Sequence, residues 1–464
     1  MRARDGAIYI ASRVVPGAIG FAATMSLTWL LSPEEFGVYG MGLATVVLGT
    51  NIVFDWLLVS LQRWYPGREA DPVFMPTLLA MFAGACILSA SLLGLATLSG
   101  ALDGHRGRAW LILLGVWAYA WFEFATKIQL GRSRAARYFW MNVARNCLML
   151  VACTIVGYLT RSADAVLASA FAAMLIAGCM YLRDGSIRLR RTFDAALARS
   201  FAVYAAPVGL GMALFGLNDS ATRIVLGWLA GPTAVAEYAV VAILVQNSVG
   251  LVSAGLGPPA VVSAVRAMAS GHAAVRDQLE RNFTFLFGLL LPAGVGLVLI
   301  APDLADLVAP PRYHDVVRQL APWLAVASVL AGMRSNYVEP AFQLGNRTGL
   351  GAQVTAAGAA VNLALNFLLV PHWGALGSAA ALTAAAAVSL AHGIYLSSRA
   401  YPLPLPARDA WQIVAATCLM SLAVILLQPI AGITGLLLRI LVAVAVYGAT
   451  LAAFDTRGIR RAFS

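Results

Sequence analysis

Charged residues are scarce in this sequence, and long polar stretches are missing. Only 11% of the 464 residues are Asp, Glu, Lys or Arg, whereas 60% are apolar and the mean hydropathy is +0.79. A soluble domain has about a quarter charged residues and must cover its surface with polar groups. A compact soluble fold is therefore excluded, and lipid must surround most of the chain.

Segments that alternate polar and apolar residues are also absent, so helices are favoured over a transmembrane barrel. In the bilayer core each backbone group must find its partner within the protein, and a span needs about 20 apolar residues. We predict an all-α integral membrane protein with about fourteen transmembrane helices. The predicted spans are 7–31, 36–61, 76–99, 109–130, 138–159, 164–182, 202–229, 234–263, 282–308, 319–343, 349–370, 373–397, 408–428 and 432–454.

The sequence lacks the short motifs that mark common catalytic and metal sites. It has no GxxxxGK[ST] phosphate loop and no HExxH zinc motif, and its histidines are scattered. The five cysteines form no CxxC pair and lie in apolar runs, as small core residues do. No loop is long enough for a separate soluble domain. We therefore expect no catalytic residue, no metal, no cofactor and no ATP-driven transport.

The net charge of +11 is distributed unevenly along the chain. If the N-terminus is cytoplasmic, 22 of the 32 basic residues fall on the inner side. The five on the outer side are Arg106, Arg108, Arg161, Arg312 and Arg318. This distribution follows the positive-inside rule, so both termini are predicted to be cytoplasmic. The basic residues are thus topology signals, and we expect no nucleic acid as a partner.

The first twelve spans divide into two halves with related sequences. Residues of the first hairpin recur 199 residues later, with Trp29, Pro33 and Tyr39 matching Trp228, Pro232 and Tyr238. Gln129-Leu130-Gly131 recurs as Gln343-Leu344-Gly345. Because each half has six spans, the halves form a parallel repeat about an axis along the membrane normal.

This repeat predicts the domain organisation. An N-terminal six-helix bundle covers 1–182, and a cytoplasmic linker covers 183–201. A C-terminal six-helix bundle covers 202–397, and two additional helices with a cytoplasmic tail cover 398–464.

Several segments carry a family resemblance that extends over essentially the whole chain. They are Trp29–Tyr39, Leu57–Pro66, Tyr204–Pro232, Asn362–Pro371 and Gly374–Ala379. Their order and spacing resemble the polysaccharide and O-antigen flippases (Wzx-like) of the MATE-like multidrug, oligosaccharidyl-lipid and polysaccharide (MOP) exporter superfamily. The resemblance implies two six-helix bundles around a central cavity that opens alternately to each side.

The resemblance also implies a substrate, a location and partners. The substrate is an oligosaccharide linked to undecaprenyl diphosphate, an O-antigen or exopolysaccharide repeat unit, moved to the outer leaflet of a bacterial inner membrane. Besides this lipid-linked oligosaccharide and membrane lipids, the candidate partners are a polysaccharide polymerase and a chain-length regulator.

Two other functions compete with this interpretation. A MATE-type exporter of small molecules should place unpaired acids at mid-membrane, but the charged residues singled out at membrane depth are five arginines and four acids. A membrane polysaccharide polymerase or ligase should carry a sizeable extracytoplasmic loop, which the sequence lacks.

Arginines inside the predicted spans are the candidate substrate-binding residues, because a charge at mid-membrane costs at least about 2.5 kcal/mol and needs a compensating role. They are Arg13, Arg145, Arg223 and Arg334. Guanidinium groups bind phosphate oxygens bidentately. For Arg13 and Arg145 the alternatives are pairing with an acid or snorkelling to the inner surface. Arg439 lies outside the repeats and is expected to snorkel outward.

Three acids are candidate counterions or coupling residues: Asp55, Glu123 and Asp219. Asp55 and Glu123 could neutralise an arginine or carry a coupling proton. Asp219 precedes Arg223 by four residues, so the two share a helix face, and an internal ion pair is the alternative to a cavity-lining role. Glu339, near the inner end of its span, is expected to be solvated.

Two prolines are candidate hinges. Pro16 and Pro207 lie in the leading span of each half. Each removes one backbone hydrogen bond and permits bending, although a static kink is the simpler interpretation.

Overall fold

The regular structure of the described residues is entirely helical. The computed structural model describes residues 3–68, 71–100, 103–180, 193–428, 430 and 432–454. Within these ranges, the side chains of 3–13, 206–219, 254 and 257–259 lie outside the description. The all-α class is confirmed, and the chain is a multi-pass membrane protein.

The chain divides into two compact units, Met1–Ala236 and Glu237–Ser464. Unit 1 contains α1 (Ala3–Leu30), α2 (Pro33–Val53), α3 (Asp55–Trp64), α4 (Phe74–Leu98), α5 (Arg106–Gly131), α6 (Ala135–Thr160), α7 (Ala163–Met180) and α8 (Ala195–Ala230). In this unit α6 packs along α1 and α7, α5 packs on α2 and α7, and α8 packs on α2 and α3. The greater part of the predicted cytoplasmic linker, 183–192, lies outside the described residues.

Unit 2 starts within α9 (Pro232–Val245) and continues through α10 (Leu251–Ala267), α11 (His272–Val308), α12 (His314–Met333), α13 (Glu339–Leu344), α14 (Thr348–Ala400), α15 (Ala407–Leu426) and α16 (Gly432–Ala453). Two π-helical turns join neighbouring helices: Gln246–Gly250 links α9 to α10, and Arg334–Val338 links α12 to α13. Such turns are rare and frequently occur at functional sites.

The helices agree with the predicted spans. Within the described residues, eleven helices are long and apolar enough to cross a membrane. One of them, α14, contains two predicted spans joined at Gly374, where φ is 53° and ψ is −128°. Of the shorter apolar helices, Val14–Leu30 lies in predicted span one, Ala195–Ala205 overlaps only the beginning of span seven, and Ala260–Ser270 overlaps only the end of span eight. The predicted number of about fourteen is consistent with this arrangement.

The same backbone turn follows predicted spans four and ten. Ser133 and Asn346, which are 213 residues apart, both have a φ of 53°. The next residue in each turn donates its N–H to a carbonyl five residues back, Arg134 to Gln129 at 3.0 Å and Arg347 to Phe342 at 2.8 Å. The Gln-Leu-Gly matches are 214 residues apart. The sequence match is therefore one residue out of register with the backbone turn.

The start of α2 shows how local sequence sets a helix boundary. Ser32 caps the helix by accepting a hydrogen bond from the Glu35 N–H at 3.2 Å, and Pro33 occupies the first helical position. The Glu35 carboxylate in turn accepts a hydrogen bond from the Ala163 N–H at the start of α7. One short acidic segment therefore satisfies the ends of two membrane helices.

Arg439 of α16 does not snorkel outward, so that expectation was wrong. The residue is 3% exposed, and its guanidinium pairs with Asp303 of α11 and donates to the Ile430 carbonyl at 2.7 Å. An acid on the neighbouring helix makes burial tolerable, because a buried charge needs a partner. This ion pair fixes α16 to α11.

The bend of α14 is held by a small buried polar network. Asn366 donates to the Asn362 carbonyl at 2.8 Å and accepts from the Ser378 hydroxyl at 2.8 Å. At Gly377, an added Cβ would lie 2.5 Å from the Leu369 carbonyl oxygen. The two arms of α14 therefore approach too closely for a side chain at this position.

We predict that Gly377→Ala destabilises the protein by about 1–3 kcal/mol, the usual effect of overpacking. Gly349→Ala in the same helix is the control, because its Cβ would meet nothing within 4 Å. Unfolding of the full chain in detergent measures both. Equal stability of the two variants would contradict the close approach.

Candidate functional site

Charged and phenolic side chains gather inside unit 1, where α5 packs against both α3 and α6. We call this group the unit 1 polar cluster; its members are Asp55, Tyr119, Glu123, Lys127 and Arg145. Asp55 interacts electrostatically with Lys127 and Glu123, and Tyr119 interacts with Glu123, Arg145 and Asp55. All five are partly buried. The structure thus brings together three of the residues singled out from the sequence.

Helix geometry places the members of the cluster. Tyr119, Glu123 and Lys127 are spaced by four residues, so they form one stripe along α5. Asp55 is the first residue of α3, immediately after a break at the fully buried Phe54. A helix N-terminus favours a negative charge, so the break provides a position where a carboxylate is tolerated at membrane depth.

Arg145 has no acidic partner among the described residues. Its guanidinium carbon lies 4.7 Å from the ring centroid of Phe122, and its buried Nε has no hydrogen-bond partner among the described residues. The ring stabilises the cation through a cation–π contact but provides no acceptor for the Nε–H. A direct ion pair of Arg145 with Asp55 or Glu123 is not found in the described part of the chain. An anion can therefore bind Arg145 without displacing a carboxylate.

The cluster combines two kinds of chemistry. Arg145 and Lys127 are cations that suit phosphate oxygens, whereas Asp55 and Glu123 accept hydrogen bonds from hydroxyl groups or take up a proton. A ligand that carries both phosphates and hydroxyls matches this set. Lys127 is one of the 22 basic residues predicted at the inner side, and Tyr119 was not predicted as a site residue. Their four-residue spacing around Glu123 is the signal that could have found both.

The remaining predicted residues of unit 1 are only partly described. Arg223 of α8 is partly buried, and its buried Nε has no hydrogen-bond partner in the described part of the chain. The side chains of Arg13, Pro207 and Asp219 lie outside the described residues, so their predicted roles stay predictions. Pro16 is buried within α1, which runs through it to Leu30.

Arg334 lies in unit 2, at the start of the second π-helical turn. Its Nη1 is 3.3 Å from a Glu339 carboxylate oxygen and 3.4 Å from the Thr355 hydroxyl. Glu339, which was expected to be solvated, pairs with Arg334 and keeps 33% of its side chain exposed. Arg334 thus differs from Arg145, because an anion would have to compete with an acid already in place.

Unit 2 also contains an apolar groove between helices, a feature that was not predicted from the sequence. It has a volume of about 670 Å³ and is lined by α11, α15 and α16, with Pro292, Val424 and Val444 among its walls. Small residues keep it open, including Gly288, Gly296 and Gly448. Glycine and alanine on facing helices are the sequence signal for such a groove. Its shape and lining suit a hydrocarbon chain.

The fold is shared with solved membrane transporters. The structure is similar to the Lipid II flippase MurJ in an inward closed conformation, with a TM-score of 0.78 and 13% identity over 96% of this chain and 98% of that chain. It is also similar to an inward-facing multidrug resistance MATE family transporter, with a TM-score of 0.59 and 15% identity over 84% and 98% of the two chains. A third similar structure is a MOP superfamily transporter from Pyrococcus furiosus. Its TM-score is 0.54, with 15% sequence identity over 85% of this chain and 95% of that chain.

These similarities show that the chain has the fold of the MOP superfamily transporters. None of the curated proteins compared with the chain matches it. The polysaccharide biosynthesis protein family matches residues 26–318, and the chain belongs to that family. The resemblance to polysaccharide-exporting members of the superfamily is thereby confirmed.

The two kinds of intramembrane arginine predict opposite effects on stability. Arg145→Met removes a cation without an acidic partner, so we expect unchanged stability or a gain of about 1–3 kcal/mol. Arg439→Met leaves the partly buried Asp303, whose side chain is 22% exposed, without its partner, so we expect a loss that approaches the ~3–5 kcal/mol of a broken buried ion pair. Denaturant unfolding in detergent compares them. A loss in Arg145→Met as large as in Arg439→Met would identify Arg145 as a structural residue.

Proposed function

We propose that the protein is a flippase for an oligosaccharide linked to undecaprenyl diphosphate, an O-antigen or exopolysaccharide repeat unit. It moves this substrate from the cytoplasmic to the outer leaflet of a bacterial inner membrane, and both of its termini are cytoplasmic. The excess of basic residues in the predicted inner segments supports this orientation. The product would then reach a polysaccharide polymerase and its chain-length regulator.

The observation that carries the proposal is the unpaired cation in the unit 1 polar cluster. Arg145 is held on Phe122, and its Nε has no hydrogen-bond partner in the described part of the chain. A diphosphate that leaves water needs donors of this kind, because burying an uncompensated charge is costly. Guanidinium groups replace lost water well, since their planar fork matches two phosphate oxygens. Arg145, Arg223 and Arg13 are the proposed headgroup contacts, with Arg334 as a contact from the second half.

The apolar groove of unit 2 supports a lipid-linked substrate. Its lining is almost entirely hydrocarbon, and it is formed partly by the two helices that follow the twelve repeated spans. An isoprenoid chain that binds in this groove gains about 25 cal/mol of binding free energy for each Å² of apolar surface removed from water. The headgroup and the tail of one lipid therefore have separate, chemically matched sites in the chain.

Transport follows alternating access. The two predicted six-helix bundles, 1–182 and 202–397, expose the headgroup site first to the cytoplasm and then to the outside. Pro16 and Pro207 are the proposed hinges. A membrane potential that is negative inside favours outward movement of an anion, by about 2.3 kcal/mol per charge for each 100 mV crossed.

A cation-coupled exporter of the MATE type is the second candidate function. The observation that favours it is that Asp55 and Glu123 form no ion pair among the described residues and interact with each other. Two such acids could bind a proton or a sodium ion. In a flippase the same residues, with Asp219, would couple ion entry to headgroup release. The two functions differ in whether the transported molecule is an anionic lipid or an organic cation.

We predict that Arg145→Gln and Arg223→Gln each lower flipping of a fluorescent lipid-diphosphate oligosaccharide at least tenfold, because each removes a charge-assisted contact with phosphate. The measurement is loss of fluorescence to an external quencher in proteoliposomes. Arg276→Gln is the control, since this exposed arginine pairs with Glu280 one turn away. Unchanged flipping in both Arg145→Gln and Arg223→Gln would remove the proposed site, and transport of organic cations alone would favour the exporter.

A further inference from the structure

A chain of aromatic rings joins α3, α4 and α8 in unit 1, at the predicted cytoplasmic ends of these helices. Phe201 of α8 is fully buried, with its ring centroid 5.5 Å from that of Phe74 and 5.1 Å from that of Trp64. Trp64 in turn lies 4.8 Å from Tyr204, edge to face. Rings of α8 thus interlock with rings of two other helices.

Arg63 contacts Tyr204 on the exposed side of these rings. Its guanidinium carbon lies 4.5 Å from the ring centroid of Tyr204, and its Nη1 donates to the Tyr204 hydroxyl at 3.2 Å. The side chain is exposed, and no carboxylate pairs with it in the described part of the chain. Arg63 is therefore a cation at the predicted membrane surface whose main contact is an aromatic ring on another helix.

The two helices that this contact joins belong to different halves of the predicted repeat, which indicates a role in the transport cycle. α3 is the second half of predicted span two, whereas α8 is span seven, which leads the second repeat. If the halves carry out alternating access, contacts between spans two and seven at one membrane face must form and break in each cycle. An exposed cation–π contact with one hydrogen bond is weak enough to do so.

We propose that Arg63, Trp64 and Tyr204 form a latch that closes the cytoplasmic side, and that a phosphate group of the arriving substrate opens it by taking Arg63 from Tyr204. This inference rests on the proposed function for its ligand. A phosphate provides two charged acceptors for the guanidinium, whereas Tyr204 provides one neutral hydroxyl and a ring face. The exchange is therefore favourable, and it couples arrival of the headgroup to release of α8.

The experiment measures exposure of the surface beneath the latch. Ala205 is fully buried next to Tyr204, so a cysteine there becomes reactive when α8 leaves α3 and α4. Ala205→Cys is introduced into the full chain after its five native cysteines are replaced by alanine. The protein is embedded in lipid nanodiscs, and the rate of labelling by a membrane-impermeant maleimide is recorded.

The first comparison tests the latch itself. Arg63→Gln and Tyr204→Phe should each raise the labelling rate roughly fivefold, because each removes the hydrogen bond between the two helices. The chain offers a matched control in Arg399 and Tyr395, which make the same contact within α14, at 5.3 Å to the ring and 3.1 Å to the hydroxyl. Arg399→Gln and Tyr395→Phe should leave the rate unchanged. Equal rates in all four variants would overturn the proposal.

The second comparison tests the phosphate. Farnesyl diphosphate should raise the labelling rate of the protein with an intact latch, and farnesol, which lacks phosphate, should not. Inorganic pyrophosphate separates the two sources: a response to it shows that the phosphate suffices, and a response to farnesyl diphosphate alone shows that the lipid must deliver it. The response should disappear in Arg63→Gln. No response to either diphosphate, or an equal response in Arg63→Gln, would overturn the proposal.

The readout does not depend on transport. If the protein flips no lipid-linked oligosaccharide but its latch still opens with diphosphate, the proposed function fails and the latch stands. If flipping proceeds while labelling never responds to Arg63 or to diphosphate, the latch fails and the proposed function stands.

Discussion

A guanidinium at membrane depth must be compensated by its surroundings, and the two best-described cases in this chain are compensated differently. Arg439 is buried against Asp303 and a backbone carbonyl, so its charge is neutralised even though its Nε, like that of Arg145, has no hydrogen-bond partner in the described part of the chain. Arg145 is placed over the face of Phe122, and no carboxylate among the described residues pairs with it. The first arrangement stabilises the fold. We propose that the second provides a binding site for an anion, at a cost in stability that the surrounding helices must offset.

The proposed division of labour follows from this difference. Unit 1 provides polar groups that suit phosphates and sugar hydroxyls, whereas unit 2 provides an apolar groove for a hydrocarbon chain. Arg334, already paired with Glu339, is intermediate between the two cases. A substrate with a charged head and a long tail uses both kinds of site. Membership of the polysaccharide biosynthesis protein family agrees with such a substrate.

The fold was predictable because long apolar runs have few alternatives in a bilayer, and their lengths and flanking arginines locate the helices. The site was predictable only in part. Arg145, Asp55 and Glu123 stood out as charges within apolar runs, but the sequence could not show that α3, α5 and α6 bring them together. The sequence also did not indicate that Arg439 pairs with Asp303, since Asp303 lies 136 residues away on α11. Partners supplied by distant helices depend on tertiary packing, which local pattern does not encode.

The most direct test of the central claim is the distance between substrate phosphorus and arginine nitrogen in the membrane. Phosphorus–nitrogen dipolar recoupling in solid-state NMR measures it, with ¹⁵N-arginine-labelled protein and farnesyl diphosphate in lipid bilayers. We expect close phosphorus–nitrogen contacts whose signal falls in Arg145→Met and is unchanged in Arg276→Gln. A signal of full strength in Arg145→Met, or no phosphorus–arginine contact at all, would contradict it.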